Sequence, residues 1–451
     1  MTATGPELLT ARHRARPNTA EAPRNRSSWP SNSAQNLCRE WQSSRLAEAL
    51  PGWLAEIPLY RPADRAMAQG LLGKEFPAAI AHLPFITKQD IRRDFPRNFL
   101  RDGADLNALL DEELAELEHT SGTSEERTRL LLPYGWWRAQ EDRTLRLNSV
   151  VASVLDAFPD TRRVTITPPV CGGDICYAGR PDRADRVVDH ALFINLSKYP
   201  FLWSQPDLAR MAEEAVAWSP KFLDVDPVYG VGFALHCEAQ GIRLPSLRFI
   251  VCSYEFLSVV HRRILERVFE VPVFDLYGST ETGHLLMEDE HGRMAPSCQT
   301  ALLELPDPDR DKIGELIVTT LSNDYMPLIR YRIGDLVEHR TRAGSDASLV
   351  VHGRARDALL GRDGRRVTTR QVDRCFEETT GIAHYELRQT PDRRWHLRYL
   401  PDPGATLPPR LSELRERLEN LLGKDTCGAI EATDLLMPEG SGKFRLTGGI
   451  L

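Results

Sequence analysis

The chain has 451 residues, 41% of them hydrophobic and 27% charged, with 57 basic and 64 acidic side chains and a net charge of −7. An ordinary globular mixture with so small a charge excess offers no basic field for nucleic acid. No run approaches about 18 uncharged apolar residues, which excludes a transmembrane helix.

Residues 1–32 are rich in Arg, Pro, Ser and Thr and read as a disordered arm, since they cannot bury enough apolar surface. A helix is expected from Ala34, capped by Ser33, with Leu37/Trp41 and Leu46/Leu50 at i, i+4. A second is expected over Ala63–Leu72, and Leu83-Pro84-Phe85-Ile86-Thr87-Lys88 reads as a turn into a short helix capped by Thr87. Leucine spacing predicts a helix over Leu106–Leu117, and a long one follows over Trp136–Leu155. The pattern then alternates. Strands are expected at Arg163–Thr167, Ala191–Leu196, Leu247–Cys252 and Val271–Leu276, and helices at Asp207–Ala217, Val228–Gln240 and Ser258–Phe269. That order is the mark of an α/β sheet with helices on its faces. Ile313–Thr320, Leu336–His339 and Leu349–His352 suggest a mainly β section. The last hundred residues read as a small α+β unit, with helices at Thr369–Thr379 and Leu411–Leu422 and paired strands at Tyr385–Gln389 and Trp395–Leu400. The eight cysteines are scattered without CxxC pairs and read as small buried hydrophobes in a reducing cytoplasm.

Five polar, glycine-containing stretches fall at element boundaries. Thr120-Ser121-Gly122-Thr123-Ser124 offers hydroxyls and backbone N–H groups that suit phosphate oxygens, or is a plain Ser/Thr loop. Tyr277-Gly278-Ser279-Thr280-Glu281 follows a strand, where open α/β sheets bind ligands. Its ring, hydroxyl and carboxylate can stack a base, touch a phosphate and hold Mg²⁺, or it is a tight turn. Tyr331-Arg332-Ile333-Gly334-Asp335 presents a carboxylate able to accept both ribose hydroxyls, or is a solvated turn. Gly353-Arg354-Ala355-Arg356-Asp357 also reads as a charged linker, and Gly440-Ser441-Gly442-Lys443 as a frayed terminus. The last is no Walker loop, because Phe444 stands where Ser or Thr is required.

In this order and spacing the five stretches resemble the acyl-adenylate-forming superfamily, and Leu83 to Asp90 looks like its phenylacetate–CoA ligase branch. The resemblance spans about Trp41 to Lys443. It implies a large N-terminal α/β domain with a small β section (33–355) and a small mobile C-terminal α+β domain (356–451). It implies ATP and Mg²⁺, with CoA as a candidate acceptor, in a monomer or homodimer. Thr120, Ser121, Gly122, Thr123 and Ser124 match the loop that holds the β- and γ-phosphates. Tyr277 matches the residue flanking adenine, beside Gly278 and Ser279, and Ser253-Tyr254-Glu255 matches the adenine wall. Thr280 matches the α-phosphate contact and Glu281 the magnesium ligand. Asp335 matches the ribose carboxylate, Arg354 the arginine reaching ribose and phosphate, and Lys443 the lysine bridging attacking carboxylate and α-phosphate.

The implied reaction activates a small, aromatic carboxylic acid as an acyl-AMP and transfers it to a nucleophile such as CoA. Three alternatives stand beside it: an amide-forming ligase, a diazotase activating nitrite for an aryl amine in specialised metabolism, and a non-catalytic nucleotide-binding module. Three positions depart from the family. The phosphate loop continues Glu125-Glu126-Arg127, and a carboxylate about 4 Å from a phosphate charge would cost about 4 kcal/mol, so both glutamates are expected to face outward. The small pair of the adenine wall is Ser253-Tyr254, and the hinge residue is Arg356. His119 reads either as near the ligand or as a helix cap. His284, His291 and Cys298, near Cys252 and Glu288-Asp289-Glu290, have zinc-type donors without tight spacing. Cys171–Cys176 and Tyr229-Gly230-Val231-Gly232 are weak metal and dinucleotide signals.

Overall fold

The computed structural model describes residues 32–61, 80–120, 127–169, 181–340, 348–361 and 363–449. The expected helix at Ala63–Leu72, the loop residues Ser121 to Glu126 and the Cys171–Cys176 stretch lie outside them.

In chain order the chain forms α1 (Asn32–Glu56), α2 (Lys88–Arg92), α3 (Leu106–Asp111), β1 (Ala115–His119), β2 (Arg129–Pro133), α4 (Trp136–Leu145) and α5 (Ser149–Ala157). The α/β region follows as β3 (Arg163–Ile166), β4 (Val187–Val188), β5 (Ala191–Phe193), α6 (Gln205–Trp218), β6 (Phe222–Val225), α7 (Pro227–Gln240), β7 (Phe249–Cys252), α8 (Val259–Phe269) and β8 (Val273–Ser279). Antiparallel strands come next: β9 (Gly283–Glu288), β10 (Met294–Pro296), β11 (Ala301–Glu304), β12 (Ile313–Thr320), β13 (Tyr331–Arg340) and β14 (Ser348–Arg354). The C-terminal part holds β15 (Leu359–Leu360), β16 (Arg366–Val367), α9 (Thr369–Asp373), β17 (Ile382–Gln389), β18 (Trp395–Pro401), α10 (Leu411–Leu422), β19 (Cys427–Ala432) and β20 (Thr447–Gly449).

Among the described residues, twelve strands form one sheet in the order β11-β12-β13-β14-β10-β9-β8-β7-β6-β3-β5-β4. Its β5-β3-β6-β7-β8 portion is parallel. Alternating side chains bury both faces of that portion, as parallel sheets require. Leu223, Val225, Ile250 and Cys252 pack with Met211 and Ala215 of α6, Val231 and Ala234 of α7 and Ile264 of α8. Phe222, Phe249, Val251 and Phe274 pack on the opposite face with Leu145 of α4 and Val151 of α5. A second sheet, β19-β18-β17-β20, carries Tyr385, Leu387, Trp395 and Leu397 against Leu414, Leu418 and Leu422 of α10, and Val260 of α8 enters that same core. The C-terminal part thus docks on α8. No helix among the described residues is long and apolar enough to cross a membrane.

Several expectations are corrected. The leucine-spaced helix ends at Asp111, and Ala115–His119 is a strand paired antiparallel with Arg129–Pro133. His119 therefore ends a strand and caps no helix. The long helix is broken into α4 and α5, because Asn148 caps the second with its side-chain oxygen on Val151 N at 3.0 Å while its amide donates to Glu288 O at 2.9 Å. Asn148→Ala is expected to cost about 1–2 kcal/mol of stability, read as a lower denaturant midpoint at unchanged m-value. The helix expected over Thr369–Thr379 is α-helical only to Asp373 and continues as a 3₁₀ turn. Leu37 is exposed, while Trp41 packs partly buried against the core that Leu46 and Leu50 join. Finally, Cys38 and Cys298 are joined in a disulfide across 260 residues, which the reading of all cysteines as buried hydrophobes had excluded. Cys237, Cys252 and Cys375 are buried thiols as expected.

Candidate active site

The site is built at the ends of β8 and β14 and in the first half of β13. Tyr277, late in β8, donates its hydroxyl to Asp335 Oδ2 at 2.7 Å, and Arg354, the last residue of β14, sits with Nε 3.1 Å from Asp335 Oδ1. Asp335 and Arg354 are cross-strand partners, so the antiparallel register itself makes this pair. Arg354 also donates to Ile333 O at 3.0 Å, which fixes its fork. Burial raises the Asp335 carboxyl above its ordinary value, with Arg354 pulling the other way. Each Asp335 oxygen receives one donor and keeps a lone pair for another.

Glu281 follows in the turn after β8. It is 8% exposed and pairs with Lys88 Nζ at 3.0 Å, while Tyr331 donates to it at 3.4 Å. Burial opposes its charge, but the Lys88 ammonium, a backbone hydrogen bond and Arg354 together hold the carboxyl below its ordinary range. Lys88 is placed by α2, whose Thr87–Asp90 capping box satisfies the helix start as the sequence predicted. Gly278 is required here. A Cβ would lie 2.3 Å from Gly283 O and 2.7 Å from His284 Cα, because β8 and β9 press together at that point. Ser279 and Thr282 share a hydrogen bond at 3.0 Å, and Thr280 sits in the turn between them.

The third side is the wall after β7. Ser253 Oγ and Tyr254 Oη each donate to Asp224 at 3.4 Å, and Tyr254 takes φ +73°, a left-handed conformation that a glycine would adopt without strain. Lys443, carried on the loop after β19, donates Nζ to Tyr254 O at 2.9 Å, and the backbone N–H of Phe444 donates to Glu255 Oε1 at 2.5 Å. The Lys443 charge also acts on Asp335, opposing the rise that burial causes.

Of the phosphate-loop residues only Thr120 is described. Its hydroxyl accepts from Thr128 N at 2.9 Å and its own N–H donates to Thr128 O at 3.0 Å, which ties the neck of the loop. Arg356 sits in a 3₁₀ turn, largely exposed. The zinc-type donors are not brought together. Cys298 is in the disulfide, His284 Nδ1 is paired with Gln140 at 3.1 Å, and no cluster of three metal-ligating side chains exists among the described residues. The reading of the sequence gave no role to Lys88, Tyr331, Tyr229 or Asp226. Lys88 stood inside a noticed stretch, but the spacing of 193 residues to Glu281 hides the pair.

Comparison with known proteins identifies the fold. No family model matches the chain. Protein CapK of Staphylococcus aureus is 34% identical over 84 residues, which span 19% of this chain and 18% of that one. A 2-hydroxyisobutyryl-CoA ligase in the postadenylation state with R3-HIB-AMP superposes with a TM-score of 0.63 at 16% identity, covering 93% of this chain and 90% of that one. The same ligase with 2-HIB-AMP and CoA in the thioesterification state covers the same shares at the same identity, with a TM-score of 0.53. The chain has the fold of the adenylate-forming ligases.

Proposed function

We propose that the chain is an ATP-dependent, AMP-forming ligase that activates a small carboxylic acid, aromatic by the sequence resemblance, and passes the acyl group to a nucleophile such as CoA. The observation that carries this is the convergence of Tyr277 and Arg354 on Asp335 and of Lys88 and Tyr331 on Glu281, with the Lys443 ammonium held on the Tyr254 carbonyl of the neighbouring wall. We further propose two units, 33–355 and 356–451, the second delivering Lys443.

In this reading Asp335 accepts the ribose hydroxyls on its remaining lone pairs, and Arg354 holds the nucleotide's ribose and phosphate side. Thr120 anchors the loop that includes Ser121, Gly122, Thr123 and Ser124, which meets the β- and γ-phosphates. Thr280 lies beside the α-phosphate, and the Ser253-Tyr254-Glu255 wall and Tyr277 flank the base with Gly278 and Ser279 in the turn. Lys443 leaves the neutral Tyr254 carbonyl for the substrate carboxylate and the α-phosphate, because charged acceptors bind an ammonium more strongly. The substrate oxygen attacks the α-phosphorus, and the bond to pyrophosphate breaks. A buried anionic carboxylate at Glu281, already held by a cation, fits Mg²⁺, which takes one or two carboxylates plus phosphate oxygens. The metal would supply charge neutralisation on the phosphates.

The test is pyrophosphate and AMP release, screened against aryl and hydroxy acids and against nitrite with an aryl amine, each with and without CoA. AMP formed with an acid supports the reading. AMP formed only with nitrite, or with no acid in the presence of ATP and magnesium, overturns it. Glu281→Gln, which keeps the shape but not the charge, is expected to raise the magnesium concentration for half-maximal rate severalfold. An unchanged magnesium dependence removes Glu281 as the ligand.

A further inference from the structure

The two residues that flank Lys443 are each held by the large part of the chain. On one side Tyr229 of α7 shares its hydroxyl hydrogen between Gly442 O at 2.8 Å and Lys198 O at 2.6 Å. On the other side Glu255 accepts the Phe444 N–H at 2.5 Å. Gly442 has φ +87°, and a Cβ there would meet Pro168 at 2.8 Å and the Tyr229 hydroxyl at 3.2 Å, so the loop seats only with glycine. Phe444 is buried, edge-on to His384 at 5.0 Å and to Phe201 at 5.8 Å. Lys198 Nζ adds a bond to Gly440 O at 3.2 Å.

We propose that Tyr229 and Glu255 are positioning residues that clamp the loop on both sides of Lys443 and so set its ammonium in the site for adenylate formation. Neither role follows from the wall position of Glu255 or from the glycine-rich look of the Tyr229 stretch. The proposal rests on the adenylate-forming reading.

A second carboxyl makes the clamp sensitive to protons. Asp226, fully buried, caps α7 through Oδ1, which accepts from Val228 N at 3.0 Å, while its Oδ2 has no N–H or O–H donor. The group beside it is the Glu255 carboxyl, and two carboxyls in contact need one proton between them. Burial raises Asp226 to about 7, with the Lys443 ammonium opposing, and burial followed by the Asp226 charge raises Glu255. The titratable groups facing the pair are Lys443 and Glu439 from the C-terminal loop and the buried Cys252 thiol at the end of β7. The seated form therefore holds a proton that a released, hydrated form gives up. Seating is favoured at low pH and weakens as pH rises through about 7.

The test compares Tyr229→Phe, Glu255→Ala and Glu255→Gln with the wild-type full chain. Glutamine keeps an acceptor for Phe444 N–H and supplies an amide donor to Asp226 at any pH. Tyr229→Phe and Glu255→Ala are expected to lower kcat for adenylate formation about 10-fold or more, since bonds of this kind are worth about that in an equilibrium, with KM for ATP changed far less in Tyr229→Phe, which lies outside the nucleotide wall. Glu255→Gln is expected to recover most of the loss suffered by Glu255→Ala and to abolish the fall in rate between about pH 6 and pH 8. Hydrogen exchange of the 440–446 segment, measured without substrate, is expected to speed up in Tyr229→Phe and Glu255→Ala. If both variants keep wild-type kcat and wild-type protection, the clamp is overturned. If the wild type activates no acid, the proposed function fails, and the exchange experiment still decides the clamp.

Discussion

Lys443→Ala is expected to slow adenylate formation by about 10²–10³-fold while the chain stays folded. Among the described residues its ammonium is hydrogen-bonded to the Tyr254 carbonyl, a neutral partner, so its loss leaves no hydrogen-bonded charge behind, and the buried carboxyls Asp226 and Glu255 can stay protonated without it. The loop itself is seated by its neighbours Gly442 and Phe444. What disappears is a positive charge where negative charge accumulates as the carboxylate meets the α-phosphate, and a fixed charge acts there without reorganisation. Pyrophosphate-exchange rates, with thermal unfolding as the control for folding, measure this. A rate close to wild type removes Lys443 from the chemistry.

Asp335→Ala is expected to weaken ATP by about 10- to 100-fold, the range of one or two bonds to a charged acceptor. The variant removes the acceptor of Tyr277 and the counter-charge of Arg354 at once. Arg354 keeps its bond to Ile333 O, so the strand end holds its place. Asp335→Asn separates the contributions, because the amide retains one acceptor oxygen but loses the charge that pairs with Arg354. Nucleotide affinity by calorimetry reads both variants. Unchanged affinity in Asp335→Ala places the ribose elsewhere.

The readings that rested on local pattern fared differently from those that rested on distance. The alternation of α7, β7, α8 and β8 was legible because each element buries its own repeating set of side chains, whereas the four-residue strand β6 was not anticipated. The stretch Leu106–Leu117 misled, because Leu109, Leu110, Leu114 and Leu117 have helical spacing. The strand at Ala115–His119 is decided by its partner Arg129–Pro133, which lies across the loop. Asn148 interrupts an apolar helical run, and its capping role needs the Glu288 carbonyl, 140 residues away, to fix its amide.

The five motifs placed Tyr277, Glu281, Asp335, Arg354 and Lys443 by residue type and order, since phosphate, ribose and metal each demand a particular donor or acceptor. Sequence by itself singled out these stretches and much of the alternation of strands and helices around them. Tertiary structure alone decided which charge meets which. Lys88 reaches Glu281, Cys38 joins Cys298, Glu255 lies against Asp226, and Tyr229 holds the loop of Lys443. The reason is physical. A backbone element is chosen by neighbours a few residues away, whereas an ion pair or a buried carboxyl pair is made only when folding brings distant segments into a place that water has left.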